Sequence, residues 1–494
     1  MSAKALAVFG TASDVGKSVV ATALCRIFSN MGIKTAPFKA QNMSNNSFVT
    51  NSFGEIGRAQ AVQAFACNTT PTNDMNPVLL KPLADKTAQV ILHGKAIGNF
   101  EANNYFKDTD FMFQESLKSL QKIKNEFELI VIEGAGSCAE VNLRKQDFVN
   151  FKTAKAADAD VILIADIDRG GVFAQIIGTL ECLNKQERQM IKGFIINKFR
   201  GDRELFKDGV DYIQKRTGIP VLGVIPYFYD IEIEYEDGLP SDIIKSEMCV
   251  DKNMINIAVL KLPHISNFTD FLPFNLEGRV RIHYLSKPRD LLEYDALIIP
   301  GSKNVVYDLQ WMKSLSWDEY IKNYEKSGGF IFGICGGYQI LTKEILDPFF
   351  VESYSKNTTG LGLLDIVTRL EKKKTVAKTK AVWIDGNVEV EGYEIHMGKT
   401  VHSNEKPALK INKDGHKAYG GAIKGKVAGC YLHGIFDKKE FRHYFLSMTA
   451  KNKFTKPNQT DYDEFRQTQY ELLAERFKTY VDMDKIMQII GKLK

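Results

Sequence analysis

The sequence has no apolar run that could cross a bilayer: none of its 494 residues belong to an uninterrupted hydrophobic stretch approaching ~18 residues. Its start, MSAKALAVFG, lacks a basic segment followed by a long apolar one, so no secretory leader is expected. Proline is sparse at 14, and 44% hydrophobic against 25% charged residues excludes a disordered or low-complexity chain. A net charge of +5 is too small for a nucleic-acid surface. Seven cysteines (25, 67, 138, 182, 249, 335 and 430) are an odd number without paired spacing, which fits reduced thiols and not a disulfide frame. These absences predict a cytoplasmic enzyme that has neither nucleic-acid nor membrane partners.

What is present are short apolar runs of strand length, apolar on both faces, as buried parallel strands require. In the first half they fall at residues 5–9, 129–132, 161–165, 194–196 and 221–225; a second series falls at 255–260, 280–284, 296–299 and 330–334. Between them the acidic stretch DIEIEYEDGLPSD carries Gly and Pro without a long apolar run and reads as a linker. The predicted organisation is an α/β unit at 1–228, a linker at 229–252, a second α/β unit at 253–450, and a helical tail at 451–494. The lysine-rich run EKKKTVAKTK (371–380) reads as a solvated loop or strand edge.

The first strand runs into Gly10, Thr11, Ala12, Ser13, Asp14, Val15, Gly16, Lys17 and Ser18, ahead of a helical stretch. Small residues in that context let backbone N–H groups face phosphate oxygens, with the positive helix N-terminus behind them. Lys17 is placed to reach the β- and γ-phosphates of ATP, and Ser18 to hold Mg²⁺. Position 11 is Thr where the common loop has Gly. With residues 132–137 (IEGAGS), this variant loop resembles the dethiobiotin synthetase-like branch of P-loop proteins. Glu133 then ends a strand where a carboxylate can hold Mg²⁺. Asn197 is similar to an adenine-reading residue in that branch.

In the second half, residues 330–339 (FIFGICGGYQ) read as a strand, a cysteine, two glycines and a helix. This is the thiol form of a nucleophile elbow: the turn pushes the Cys335 sulfur out and the helix N-terminus favours its anion. Backbone N–H groups at Gly336 and around Gly301 and Ser302 are expected to form the oxyanion hole. His433, in CYLHGIF, resembles the catalytic histidine of class I glutamine amidotransferases. A Glu commonly stands two residues further on; here that position is Ile435, so a Cys–His dyad or a backbone-carbonyl orienter is expected. His396, in EGYEIHMG, is the competing base.

Further segments resemble one family, the cobyric acid synthases: 37–44 (PFKAQNMS), 54–61 (GEIGRAQA), 74–82 (DMNPVLLKP), 165–173 (ADIDRGGVF), 197–202 (NKFRGD) and 262–270 (LPHISNFTD). The resemblance runs from residue 3 to about 446. It implies a dethiobiotin synthetase-like P-loop domain followed by a class I glutamine amidotransferase-like domain. It also implies amidation of the b, d, e and g carboxylates of adenosylcobyrinic acid a,c-diamide in cobalamin biosynthesis, one ATP and one glutamine per amide, with no tightly bound organic cofactor. The carboxylate is a poor electrophile, so ATP should convert it to an acyl phosphate, with Lys17, Mg²⁺ and Lys39 neutralising charge. Gln41, Asn42, Ser44, Arg58, Asp74, Asn76, Asp166, Asp168 and Arg169 are the candidates for gripping the corrinoid. A sheltered ammonia passage and an open cleft that rebinds each product are expected. The sister family, cobyrinic acid a,c-diamide synthase, shares the architecture but lacks the 38–44 form and the Asp-Met-Asn-Pro run. Peptidoglycan-modifying amidotransferases usually place the two halves on separate chains. A nucleotide switch that positions plasmids or division sites has no use for the Cys335 elbow.

Overall fold

The computed structural model describes residues 3–84, 87–234, 236, 250–353, 355–413, 416–450 and 453–492. Strands β1 (Lys4–Gly10), β2 (Thr35–Phe38), β3 (Leu129–Glu133), β4 (Asp160–Asp166), β5 (Ile191–Phe199) and β6 (Val221–Pro226) form one sheet in the order β2-β3-β1-β4-β5-β6. All its pairings are parallel. Every residue of β3 is buried, as the apolar run from Leu129 to Ile132 requires with helices on both faces. Helix α1 (Lys17–Asn30) lays Val20, Leu24, Ile27 and Phe28 against the face of the sheet that carries Leu6 and Val8. The chain order reverses at β1, which opens a crevice at the carboxyl ends of β1 and its neighbours.

Between β2 and β3 an excursion contributes the strand pair Ser47–Val49 and Glu55–Gly57, then helix α2 (Arg58–Ala66). It also contributes a small sheet that includes Gln41–Met43 and Val78–Ala84. This excursion faces the second unit.

The second unit holds β7 (Ile255–Leu260), β8 (Val280–Leu285), β9 (Ala296–Ile299) and β10 (Ile331–Ile334), followed by the short helix α3 (Gly336–Leu341). Next comes a long antiparallel pair, β11 (Leu364–Trp383) and β12 (Val388–Ser403), and then β13 (Val427–Cys430). The parallel sheet runs β8-β7-β9-β10-β13, with Ala422–Lys424 antiparallel on its edge. The lysine-rich run 371–380, read as solvated, lies inside β11. There the Lys374 side chain is 7% exposed and bonds Glu55 of the first unit, in the stretch between Leu370 and Thr375 where the β11–β12 register shifts. Phe48 and Val49 pack against Tyr393 and Ile395 of β12, so the first unit's excursion rests on the β11–β12 pair.

The tail forms helices α4 (Tyr462–Tyr480) and α5 (Met483–Ile490), which return to the first unit. Leu473, Phe477, Ile486 and Ile490 join the buried cluster of Leu6, Val8 and Phe28. Each such side chain contributes about 1.5–3 kcal/mol relative to exposure. Among the described residues no helix is long and apolar enough to cross a membrane. Of the acidic linker, residues 235 and 237–249 lie outside the described ones. Glu234 is 7% exposed and accepts from Arg58 at 2.6 and 2.9 Å and from Arg466 of α4 at 3.2 Å.

Candidate active sites

The first site gathers where β1, β2, β3, β4 and β5 end. Val8 of β1 pairs with Glu133 of β3, and Phe38 of β2 with Ile132, so Lys39 and Glu133 follow neighbouring strands to one edge. The phosphate loop folds tightly over Gly10, where an added Cβ would come 2.7 Å from Val15 and 2.9 Å from the Ala12 carbonyl. Gly16 has φ 99°, which glycine adopts without strain, and a Cβ there would meet the Asn197 amide at 2.2 Å. Asn197 Nδ2 donates to the Val15 carbonyl at 2.9 Å and so braces the loop. Lys17 donates to the carbonyls of Ala12 (3.1 Å) and Gly136 (2.9 Å). The Thr11 hydroxyl donates to Gln175 at 3.2 Å, and Ser13 lies exposed on the loop.

Two carboxylates converge on this loop. Ser18 Oγ donates to Glu133 (2.9 Å) and to Glu236 (2.6 Å); Lys39 Nζ donates to the same two groups at 3.0 and 2.6 Å. Burial pushes the Glu133 carboxyl up, and Glu236 beside it adds to that, against the opposing pull of Lys39. Burial also opposes ionisation of Glu236, but Lys39 and Ser18 override it and hold its carboxyl low. A hydroxyl and two carboxylates are hard oxygen donors suited to Mg²⁺. No group of three metal-binding His, Cys, Asp or Glu occurs among the described residues.

The candidate corrinoid residues divide. Asp166, Asp168 and Arg169 rim the loop: Asp166 pairs with Lys198 (2.9 Å), Asp168 with Arg200 (2.6 Å), and exposed Arg169 with Asp14 (3.5 Å). Gln41 accepts from Tyr105, Asn42 donates to Gln60 (2.9 Å), and Ser44 donates to the Glu236 carbonyl (2.8 Å). Arg58, Asn76 and Asp74 are likewise engaged within the protein. Arg58 is spent on Glu234. Asn76 bonds the backbone of Gly57, Lys39 and Val78, and Asp74 bonds Ser119 and Lys122.

The second site lies at the carboxyl ends of β9, β10 and β13. Cys335 follows β10 with φ 49° and ψ −105°, a strained turn that thrusts its side chain from the strand line. The two residues after it must be bare: a Cβ at Gly336 would come 2.5 Å from Ser302 N, and one at Gly337 1.9 Å from the Ile299 carbonyl. Gly301 and Ser302 therefore press directly on the elbow, and a Cβ at Gly301 would meet the His433 ring at 2.8 Å.

His433 follows β13 and is 1% exposed. Reciprocal backbone bonds with Tyr393 of β12, at 2.8 and 3.0 Å, fix its place. Neither expected arrangement, a bare dyad or a carbonyl orienter, is what the structure holds. Asp270 Oδ2 lies 2.7 Å from His433 Nδ1, while its Oδ1 accepts from Gly434 N at 2.8 Å. Burial alone would drive the imidazole toward neutrality. Asp270 and the Cys335 sulfur override it and push His433 up to about 10. The thiolate is the nucleophilic form of cysteine, and a protonated imidazole is the partner it needs. Asp270 takes the part usually given to the Glu after the histidine. It lies inside the 262–270 segment that carried the resemblance, but nothing local marks it as an orienter. His396, the competing base, bonds the Gly398 carbonyl (2.6 Å) and Glu394 (3.0 Å) and stacks on Tyr431. The Cys335 thiol donates to the Ile395 carbonyl at 3.6 Å.

A short chain of contacts joins the sites. The Lys39 carbonyl accepts from Asn76, whose Oδ1 accepts from Gly57 N (2.9 Å); Gly57 pairs with Ser47, and Ser47 Oγ accepts from Lys81 (2.8 Å), which lines the Cys335 pocket. By contrast, a broad hollow lined by Leu183, Ile191, Thr217 and Pro220 lies at the opposite, amino ends of β5 and β6.

Comparison with known proteins agrees with both halves. Residues 256–441 match a CobB/CobQ-like glutamine amidotransferase domain, and residues 4–234 match an AAA domain. A cobyric acid synthase of Chlorobium phaeobacteroides (strain BS1) is 51% identical, over 99% of this chain and 99% of that protein. One from Pelodictyon phaeoclathratiforme is 49% identical over 99% and 98%, and one from Clostridium novyi 44% over 100% and 99%. The chain belongs to the cobyric acid synthase family.

Proposed function

We propose that this protein converts the b, d, e and g carboxylates of adenosylcobyrinic acid a,c-diamide to amides, giving adenosylcobyric acid, by the route that its two strand-end sites suggest. As a member of its family the chain is a glutamine-hydrolysing ligase of cobalamin biosynthesis. At the first site a substrate carboxylate oxygen attacks the γ-phosphorus of ATP, ADP leaves, and an acyl phosphate results. Lys17 and Lys39 hold the charge of the moving phosphoryl group. Ser18, Glu133 and Glu236 would hold Mg²⁺, which neutralises phosphate charge when bound. Asn197 faces adenine through its Oδ1, while Gln41, Asn42, Ser44, Asp166, Asp168 and Arg169 line the approach for the corrinoid.

At the second site the Cys335 sulfur attacks the glutamine carboxamide, and N–H groups at Gly336 and Ser302 take the developing oxyanion. His433 gives its proton to the departing ammonia, and water then hydrolyses the thioester to glutamate. Asp270 keeps the imidazole oriented throughout. Ammonia reaches the acyl carbon along the sheltered junction between the Ser47–Gly57 turn and β12, and phosphate leaves.

The observation that carries this reading is the Cys335–His433–Asp270 relay lying one chain of contacts from Lys39 and Glu133. The test is incubation with ATP, Mg²⁺, glutamine and adenosylcobyrinic acid a,c-diamide, followed by mass spectrometry. Successive replacements of OH by NH₂, up to four, support the reading; glutamate release without amide formation on the corrinoid defeats it.

A further inference from the structure

The Cys335 pocket is lined by an unusual number of charged side chains: Lys81, Lys303, Glu352, Lys374 and two histidines. Most are already matched. Lys81 and Lys374 share Glu55, at 2.6 and 2.5 Å, and their surplus contacts go to Ser47 and Gln89. His433 is held by Asp270, and His396 by Glu394 and a carbonyl. Two groups are left over. The Lys303 ammonium has no hydrogen-bond or ion-pair partner among the described residues. Glu352 meets no cation at ion-pair distance there; its carboxylate accepts only backbone N–H groups, those of Val305 (2.7 Å) and Val306.

Burial weighs on both. It pushes Lys303 down to about 8, helped by the Lys81 charge, and pushes Glu352 up to about 7 against the pull of Lys303. A buried cation and a buried anion that attract each other without forming a direct ion pair are costly unless a ligand matches them. A free α-amino acid does so, since its head group carries one charge of each sign.

We propose that Lys303 and Glu352 form the head-group clamp of the glutaminase pocket: Lys303 takes the α-carboxylate of glutamine and Glu352 its α-ammonium, with the side-chain carboxamide over Cys335. This rests on the reading of Cys335 as the glutaminase nucleophile. The clamp makes the pocket select free glutamine over peptide-bound glutamine or simple amides. Lys81, reaching in from the first unit, closes the same pocket, so glutamine recognition uses both halves of the chain.

The experiment uses full-length Lys303→Met, Lys303→Arg and Glu352→Gln proteins, with glutamate release and ammonia-driven amidation measured separately. The KM for glutamine should rise roughly tenfold or more in Lys303→Met and Glu352→Gln, the loss expected for one charge-assisted hydrogen bond. Ammonia-driven turnover should be unchanged, and Lys303→Arg should recover part of the affinity. Wild-type protein should prefer glutamine to Nα-acetylglutamine, and Glu352→Gln should lose that preference. A glutamine KM within about twofold of wild type in Lys303→Met, or a fall in kcat at constant KM, overturns the clamp. If Lys303→Met loses ammonia-driven turnover as well, Glu352→Gln decides: an unchanged preference against Nα-acetylglutamine overturns the proposal. Wild-type protein that releases no glutamate would instead sink the glutaminase reading itself.

Discussion

The two strand-end sites are built from similar materials but are wired differently. At the phosphate loop, cations and carboxylates bond one another: Lys39 and Ser18 each hold both Glu133 and Glu236, and Lys17 rests on loop carbonyls. At the elbow the polar groups form a line from Asp270 to His433 to Cys335, each with one task. The first is a network that a nucleotide must rearrange; the second is aligned in advance. Pre-alignment suits a reaction that depends on one activated thiol, whereas a cradle for a phosphate-rich substrate needs charge that can be redistributed.

That contrast can be broken by substitution. Cys335→Ser should lower glutamine-driven amidation on the order of 10⁴-fold, while ammonia-driven amidation persists, because only the relay loses its nucleophile. Equal loss with ammonia would make the two sites one. Asp270→Asn should lower kcat/KM for glutamine on the order of 10³-fold. It should also move the alkaline limb of the pH profile. The His433 imidazolium is lost as pH rises through about 10, and with Asp270 neutral, burial draws that limb to lower pH. A limb that stays in place would show that Asp270 does not set the imidazole charge. Lys17→Ala should lower amidation ~10²-fold with either nitrogen source and spare glutamate release.

The smallest effect on chemistry is expected at the brace that ties the linker to α2 and α4. Glu234→Gln leaves Arg58 and Arg466 without their shared anion and should destabilise the protein by about 3–5 kcal/mol, read as a lower Tm. Burial would raise the Glu234 carboxyl, but the two guanidinium groups hold it to about 2. Its contribution is therefore fully present above the ordinary carboxylate range and is lost as pH falls through about 2.

Much of both sites was legible because their central residues are contiguous. A strand, a small-residue loop and a helix announce Lys17 and Ser18 in nine positions, and the elbow announces Cys335 in ten. Asp270 was not legible as the orienter, since its bond to His433 spans 163 residues and exists only once β7 and β13 share a sheet. Glu234 and Glu236 sat in an acidic run that resembles a solvated tether. Only the arrival of Arg58, Arg466 and Lys39 from distant elements makes their burial affordable. Lys374 was hidden the same way, among the exposed Lys372, Lys373, Lys378 and Lys380 of one long strand.

The return of α4 and α5 to the first sheet bears on how the protein is made. Leu473, Phe477, Ile486 and Ile490 are synthesised long after Leu6 and Val8, yet they pack with them. The part of the sheet's apolar face which α1 leaves to α4 and α5 stays uncovered until those helices are made, so the nascent chain has a long interval in which it is open to chaperones or to aggregation. Removing α4 and α5 would thus expose Leu6, Val8 and Phe28, on the strand and helix that flank the phosphate loop.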